Sequence, residues 1–306
     1  MKEKNFVSVV AYAHDDENAI PAFATMIGGV LSEQFQQYEL IFVDDASTDG
    51  SADAIRRAAE NLTGGTVQIV HMSYEEGLEL SMEAGTALAI GDYVYEFDTV
   101  VVDYDPEVVF SLYERSLTGN DVVSAAPKEG QRASSGLFYR IYNAFSRSEY
   151  PLRTETFRIL SRRAINRIRT MSKTIPYRKA IYANCGLREA CIEYERKGDA
   201  ARRVPGGRFR MAVDVLILFT DVGYRTAFAL TGAMVSFTIL VALYALCMFA
   251  SHQAITGWTS MILVISFGFA GLFGLGAILV KYLDILLGLV FKRRTYLVKG
   301  IEKLTK

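Results

Sequence analysis

Carboxylates gather at three places in the first hundred residues: Asp15 and Asp16 after FVSVVAYA, Asp44 and Asp45 after ELIFV, and Asp98 after YVYEF. Brought into one crevice, such groups hydrogen-bond a base and ribose, or hold a divalent cation against a diphosphate. Taken singly, each Asp also suits a helix cap or a turn. Their recurrence after three strand-like runs points to a nucleotide site. The stretch YEFDTVVVDYDPE carries the sharpest question, because Asp98 is followed by Thr99 and Val100 rather than by a second carboxylate two residues on. Asp103 and Asp105 either supply a replacement Asp-x-Asp or cap the helix that Pro106 begins.

The elements that would position these groups alternate in type. Strand-like runs at Phe6 to Ala13, Glu39 to Asp45, Thr66 to Met72 and Tyr93 to Phe97 are separated by helix-like runs at Asp15 to Ser32, Ser51 to Asn61 and Glu76 to Ala89. This order predicts a mostly parallel sheet with helices on its faces and a ligand at the carboxyl ends of the strands. A further strand is expected at Asp121 to Ala126, followed by arginine-rich helices that include Gly136 to Phe145.

From Thr226 to Val280 the chain has no Asp, Glu, Lys or Arg. A membrane helix needs roughly 20 apolar residues, so the run accommodates two spans, Thr226 to Ala250 and Trp258 to Val280, with a short turn between. A buried helical hairpin is the alternative. Gly206 to Arg225 places apolar residues on one face and reads as an interfacial helix on the bilayer, or as an ordinary core-facing one. Basic residues flank the spans and the turn has none, so the large N-terminal part and the C-terminal tail are expected in the cytosol, at the cell membrane. MKEKNFVSVV does not read as a signal peptide. Three cysteines set no disulfide framework or zinc site, and a net charge of −1 gives no footprint for nucleic acid. Gly271, Gly274 and Gly276 would let helices pack closely, including between copies in a homo-oligomer.

FVSVVAYAHDDENAI, IFVDDASTDGS and EEGLELSMEAGTALAIGDYVYEFD are similar in order and spacing to the family 2 glycosyltransferases of the GT-A fold. LFYRIYNAFS, ETFRILSRRAI, RRVPGGRFR and the paired apolar runs further resemble the polyisoprenyl-phosphate glycosyltransferases, the group with dolichyl-phosphate mannose synthase-like enzymes. The resemblance implies a GT-A, Rossmann-like domain over residues 1–205, an interfacial helix over 206–225, a transmembrane hairpin over 226–290 and a basic tail over 291–306. It implies a sugar moved from a nucleotide diphosphate sugar to a polyprenyl phosphate, for cell-surface glycan modification. Ala11, Asp15, Asp44, Asp45 and Gly77 would then bind the nucleotide. Asp98 would hold Mg2+ or Mn2+, aided by Asp103 or Asp105. Arg158, Arg203 and Arg208 would bind the acceptor phosphate, and Asp98 and Arg158 would be catalytic.

Departures from the family pattern fall at functional positions. Ala11 stands at a Pro position and Ala13 at a Tyr, Glu75 at an Asn, Leu78 at a Lys, Val100 at the second metal carboxylate, and Thr156 at an active-site Asp. A phosphate acceptor is already ionised near neutral pH and needs no general base, so the change at Thr156 is tolerable. Charge on the departing diphosphate must still be neutralised, for which Lys128, Arg132, Arg158 and Arg162 are candidates. The contrasting expectation is a catalytically silent homologue that binds a lipid carrier, a nucleotide or a partner enzyme.

Overall fold

The computed structural model describes residues 2–62, 64–128, 139–140, 142–144, 150–171, 177–197, 225–226, 229–230, 232–234, 236–237, 239–240, 258–291 and 296–304. The chain divides into two compact units, Met1–Ala144 with Ser148–Met211 and Arg294–Lys306, and Phe145–Arg147 with Ala212–Arg293.

The first unit is built on an eight-stranded sheet. Its strands are β1 (Val7–Ala13), β2 (Tyr38–Asp44), β3 (Thr66–Met72), β4 (Tyr93–Phe97), β5 (Val122–Pro127), β6 (Phe157–Ser161), β7 (Glu189–Tyr194) and β8 (Val298–Lys303), in the spatial order β7-β5-β6-β4-β1-β2-β3-β8. The β-branched runs of β1 and β2 are almost wholly buried, as strands covered on both faces must be. Between the strands run α1 (Ile20–Gln34), α2 (Ser51–Glu60), α3 (Leu78–Leu88), α4 (Pro106–Leu117), α5 (Arg162–Met171) and α6 (Arg178–Ala183). Helix α1 buries Ile20, Phe23, Ala24, Ile27 and Leu31, a helical-period stripe facing the sheet. Helix α3 approaches closely at Gly85, where a Cβ would come within 2.4 Å of Val10 and 2.6 Å of Val43.

The expected elements through β5 are present, with two shifted helix starts. The helix expected from Asp15 begins at Ile20, because Asp15 has a left-handed backbone (φ 49°) and residues 15–17 are tied to the 47–51 loop. The helix expected from Glu76 begins at Leu78, because Gly77 has φ 85° and its N–H goes to Asp45.

The parallel pairings join β1 to β2 and β4, β2 to β3 and β5 to β7, and antiparallel pairings accompany them: β4 and β5 both pair with β6, and β3 pairs with β8. The tail thus also contributes a strand. Residues 298–303 form the edge strand β8, and Glu302 is joined to Arg56 at 2.8 Å and to His71 at 3.4 Å. Its alternating burial suits an edge with one face in water. A chain ending before Val298 is expected to leave the edge of β3 unpaired. It should elute as oligomers in size-exclusion chromatography where the intact chain does not.

In the second unit, α7 (Trp258–Phe291) is a single helix of 34 residues. Phe237 lies 4.7 Å from Phe267, ring centre to ring centre, and a Cβ on Gly271 or Gly274 would meet Met234 at 2.6 Å or Leu230 at 3.2 Å. These two glycines thus leave room for Leu230 and Met234 of the same chain. Among the described side chains no unbroken run is long and apolar enough to cross a membrane. The span expected at 226–250 is described only in part, and the interfacial helix of 206–225 lies, but for Arg225, outside the described residues.

Candidate functional site

Strand β4 ends in Glu96 and Phe97 and Asp98 follows directly, so the period of two continued by one residue puts both carboxylates on one face. Antiparallel pairing sets Arg158 of β6 directly across from Glu96. The Arg158 guanidinium then donates to Glu96 Oε2 and Asp98 Oδ2, both at 2.9 Å, and to Glu155 at 3.3 Å. From the start of α6, Arg178 donates to Glu96 Oε2 at 2.6 Å, Asp98 Oδ1 at 2.9 Å and Glu79 at 3.0 Å. Lys179 reaches Asp98 Oδ2 at 3.3 Å and the carbonyl of Glu155 at 2.9 Å. Tyr182 donates to both oxygens of Glu96 and lies under Arg158, 5.5 Å from ring centre to guanidinium carbon.

Four carboxylates thus meet three cations in a nearly dry place: Arg158 and Glu96 are 0% exposed, Arg178 3%, Lys179 10% and Asp98 11%. Burial alone would raise the Asp98 carboxyl, but Arg158, Lys179 and Arg178 outweigh it and hold the group well below the usual carboxylate range. Both arginines stay charged for the converse reason, since their acidic neighbours overcome desolvation.

A second constellation lies at the ends of β1 and β2. Asp45 is fully buried, and its carboxylate accepts the backbone N–H of Glu76 at 2.8 Å, that of Gly77 at 2.9 Å, and the Tyr12 hydroxyl at 2.9 Å. Burial first, and then the Asp45 charge, keep Tyr12 protonated. His14 Nδ1 bonds the Asp45 carbonyl at 2.8 Å. Asp44 accepts the N–H of Ser47 at 3.1 Å and pairs with His71 at 3.1 Å. Asp15 accepts the N–H of Thr48 at 2.7 Å, which lowers its pKa. The two constellations share α3: Asp45 fixes its lead-in turn at Gly77, and Glu79 in its first turn binds Arg178.

Several expected site residues therefore take other places. Ala11 is 0% exposed inside β1 and offers no surface to a nucleotide. Asp45 shapes the turn at Gly77, while Asp15 and His14 keep partly open side chains. Asp103 is 2% exposed and bonded to Tyr194 at 3.1 Å and Arg196 at 3.4 Å, and Asp105 pairs with Lys197. Asp105 does occupy the cap position of α4, without a side-chain cap bond. Neither forms a metal pair with Asp98. Arg158 is committed to carboxylates and is not presented to a phosphate. Arg162 follows the far end of β6 and donates to the carbonyls of Ala89 and Gly91, away from Asp98. Lys128 pairs with exposed Glu195 at 3.2 Å. Arg132, Arg203 and Arg208 lie outside the described residues.

Sequence reasoning missed Glu79, Glu96, Arg178, Lys179 and Tyr182. One signal was available: Glu96 interrupts an otherwise apolar strand two residues before Asp98. The arginine, lysine and tyrosine come from a helix eighty residues further on, with no local pattern to mark them.

Glu189 opens β7, and its Oε1 is buried without a hydrogen-bond partner among the described residues. Burial, reinforced by Glu155 and only partly offset by Arg158, raises its pKa to about 8. A carboxyl raised in the folded state favours folding while protonated, so this contribution falls as pH rises from about 4.5 to about 8. Glu189→Gln is expected to flatten stability over that window and to exceed wild type at pH 9, read by chemical denaturation.

The comparisons agree with this architecture. Residues 18–169 match the model of Glycosyl transferase family 2. The chain is 25% identical over 270 residues to the Uncharacterized glycosyltransferase YkcC of Bacillus subtilis (strain 168), covering 84% of this chain and 82% of that one. It is 26% identical over 317 residues to the Prophage bactoprenol glucosyl transferase homolog of Escherichia coli (strain K12), covering 97% and 99%. Among solved structures, the glucosyl-3-phosphoglycerate synthase of Mycobacterium tuberculosis with phosphoglyceric acid superposes with a TM-score of 0.50 at 18% identity, over 69% of this chain and 77% of that one. That likeness shows the fold, a mixed α/β sheet of GT-A type. With the alternating βα order, the strand-end carboxylates and these matches, residues 18–169 form a family 2 glycosyltransferase domain.

Proposed function

We propose that the protein transfers a sugar from a nucleoside diphosphate sugar to a polyprenyl phosphate at the cytosolic face of a membrane. The observation that carries this reading is the similarity over 97% of the chain to a bactoprenol glucosyl transferase homologue. In the reaction, an ionised oxygen of the acceptor phosphate attacks the anomeric carbon. The bond to the diphosphate breaks with its electron pair on the departing nucleoside diphosphate, and no proton need be removed. The nucleoside would lie by His14 and Asp15, against the turn that Asp45 holds at Gly77. The diphosphate would then reach the partly open edge of the ion cluster, where Lys179 is the most exposed of its three cations.

Membrane anchoring draws support from two features. Helix α7 exposes Met261, Phe269, Leu272, Phe273, Leu279 and Val280, each more than half accessible, over a run that has no charge before Lys281. A surface of that kind calls for an apolar partner. In addition, β1 to β7 precede the apolar segment and β8 follows it, yet all belong to one sheet. A segment whose two ends return to one sheet crosses a bilayer an even number of times, which suits a two-helix hairpin with both flanks in the cytosol.

The test supplies purified full-length protein with polyprenyl phosphate and a panel of UDP-, GDP- and dTDP-sugars, and reads the lipid by mass spectrometry. One donor is expected to yield a polyprenyl glycosyl monophosphate. No product from any donor, in an assay where a related transferase is active, would remove this reading.

A further inference from the structure

A divalent cation at a donor diphosphate needs oxygen ligands close to octahedral, about 2.0–2.2 Å from the metal. The residues at Asp98 do not fit one. Its Oδ1 holds Arg178 at 2.9 Å, and its Oδ2 holds Arg158 at 2.9 Å and Lys179 at 3.3 Å. A metal at ligand distance from either oxygen would stand beside a guanidinium or ammonium of its own sign, in surroundings too dry to screen the repulsion. The neighbouring positions give no help. Thr99 has no carboxylate, and Val100 is 0% exposed in the core with Phe97, Tyr104 and Phe157. Asp103 and Asp105 are committed to Tyr194, Arg196 and Lys197. Among the described residues no three His, Cys, Asp or Glu side chains are placed to hold a metal ion.

We propose that the donor site of this chain works without a divalent cation, and that Lys179, backed by Arg158 and Arg178, supplies the positive charge facing the diphosphate. This rests on the glycosyl-donor reading above. The cations here have fixed places: the two arginines are locked by Glu96, Glu79 and Glu155, and Tyr182 holds Glu96 in turn. Lys179 differs from them in being partly open to solvent. Its ammonium has three N–H donors; among the described residues two point to Asp98 and to the Glu155 carbonyl, leaving a donor for a phosphate oxygen. Asp98 thereby changes role, from a metal ligand to the anion that orients Lys179.

The experiment titrates UDP and GDP into the full-length protein by calorimetry, once with Mn2+ and once with EDTA. Electron paramagnetic resonance counts protein-bound Mn2+ in parallel. The expected result is binding of one nucleotide with an affinity changed less than about threefold by chelation, and no Mn2+ held by the protein beyond that held by free nucleotide. Lys179→Ala should weaken the nucleoside diphosphate at least about tenfold while leaving the nucleoside within about twofold, and Lys179→Arg should restore most of the loss. The nucleoside readout separates a lost phosphate contact from a damaged fold. Binding that needs Mn2+ and is abolished in Asp98→Asn overturns the inference and leaves the glycosyltransferase reading standing, as does unchanged diphosphate affinity in Lys179→Ala. No nucleotide bound with or without metal removes both, in favour of the silent homologue.

Discussion

Replacing Glu96 with alanine should lower the stability of the protein by about 3–5 kcal/mol, because it takes from two buried guanidiniums one of the two carboxylates they share. Glu96 is 0% exposed and accepts from Arg158, Arg178, Tyr182 and Thr86. In a unit of roughly 200 residues this loss corresponds to a fall of about 10 °C in the unfolding midpoint. Differential scanning calorimetry of the purified chain reads it directly. Arg153→Ala is the contrasting case, since Arg153 and Glu193 form an ion pair in which both side chains are about half exposed. Such a pair contributes about 0–1 kcal/mol, and its loss should scarcely move the midpoint. The cluster also sets an acid limit. The Asp98 pKa is depressed on folding, so its contribution is complete above the ordinary carboxylate pKa of about 4 and is lost as pH falls through the depressed value. A midpoint for Glu96→Ala equal to wild type would mean that the network is not formed.

The second large effect is expected at Asp45. Its carboxylate holds the backbone N–H groups of Glu76 and Gly77 and the Tyr12 hydroxyl, so Asp45→Ala strands three donors at once. Each donor left without a partner in a buried place costs about 1–3 kcal/mol, partly relieved where water enters. The turn at Gly77, with φ 85°, would lose what fixes it, and the lead-in to α3 would loosen. Nucleotide affinity is therefore expected to drop by at least about tenfold although Asp45 itself is out of contact with solvent. Asp45→Asn keeps one acceptor oxygen and should lose less. Calorimetric titration of both variants with the nucleotide that wild type binds would check the order, and equal affinities in all three would remove Asp45 from the site.

These residues also show how far a reading of the sequence could reach. The alternation of apolar β-branched runs with helix-period stripes identified β1 to β5 and α1 to α3, because each of those elements buries a local pattern, while α4 was marked only by Pro106 at its start. Strands β6, β7 and β8 escaped for different reasons. FRILS sits against an arginine-rich helix that masks it, EACIEY is half exposed, and VKGIEK is an edge strand whose meaning comes from pairing with β3 more than two hundred residues earlier. At the site, Asp98 and Arg158 were both legible, as was the loss of the second carboxylate at Val100. Their contact is the basis of the metal-free proposal: Asp98, expected as a metal ligand, is paired with cations of the protein itself. That outcome depends on Arg178 and Lys179, which only the folded chain brings to β4. Asp44 and Asp45 were likewise found as a pair, but burial assigns Asp45 to the turn and leaves the surface to His14 and Asp15.

The most direct measurement is a structure of the full-length protein with a bound nucleoside diphosphate sugar in the presence of Mn2+, with anomalous diffraction collected at the manganese edge. The account predicts the nucleoside beside His14 and Asp15, the diphosphate within hydrogen-bond distance of Lys179, and no anomalous peak at Asp98. A manganese peak on Asp98 with Lys179 and Arg178 swung away, or a nucleotide bound away from the ends of β1, β2 and β4, would contradict it.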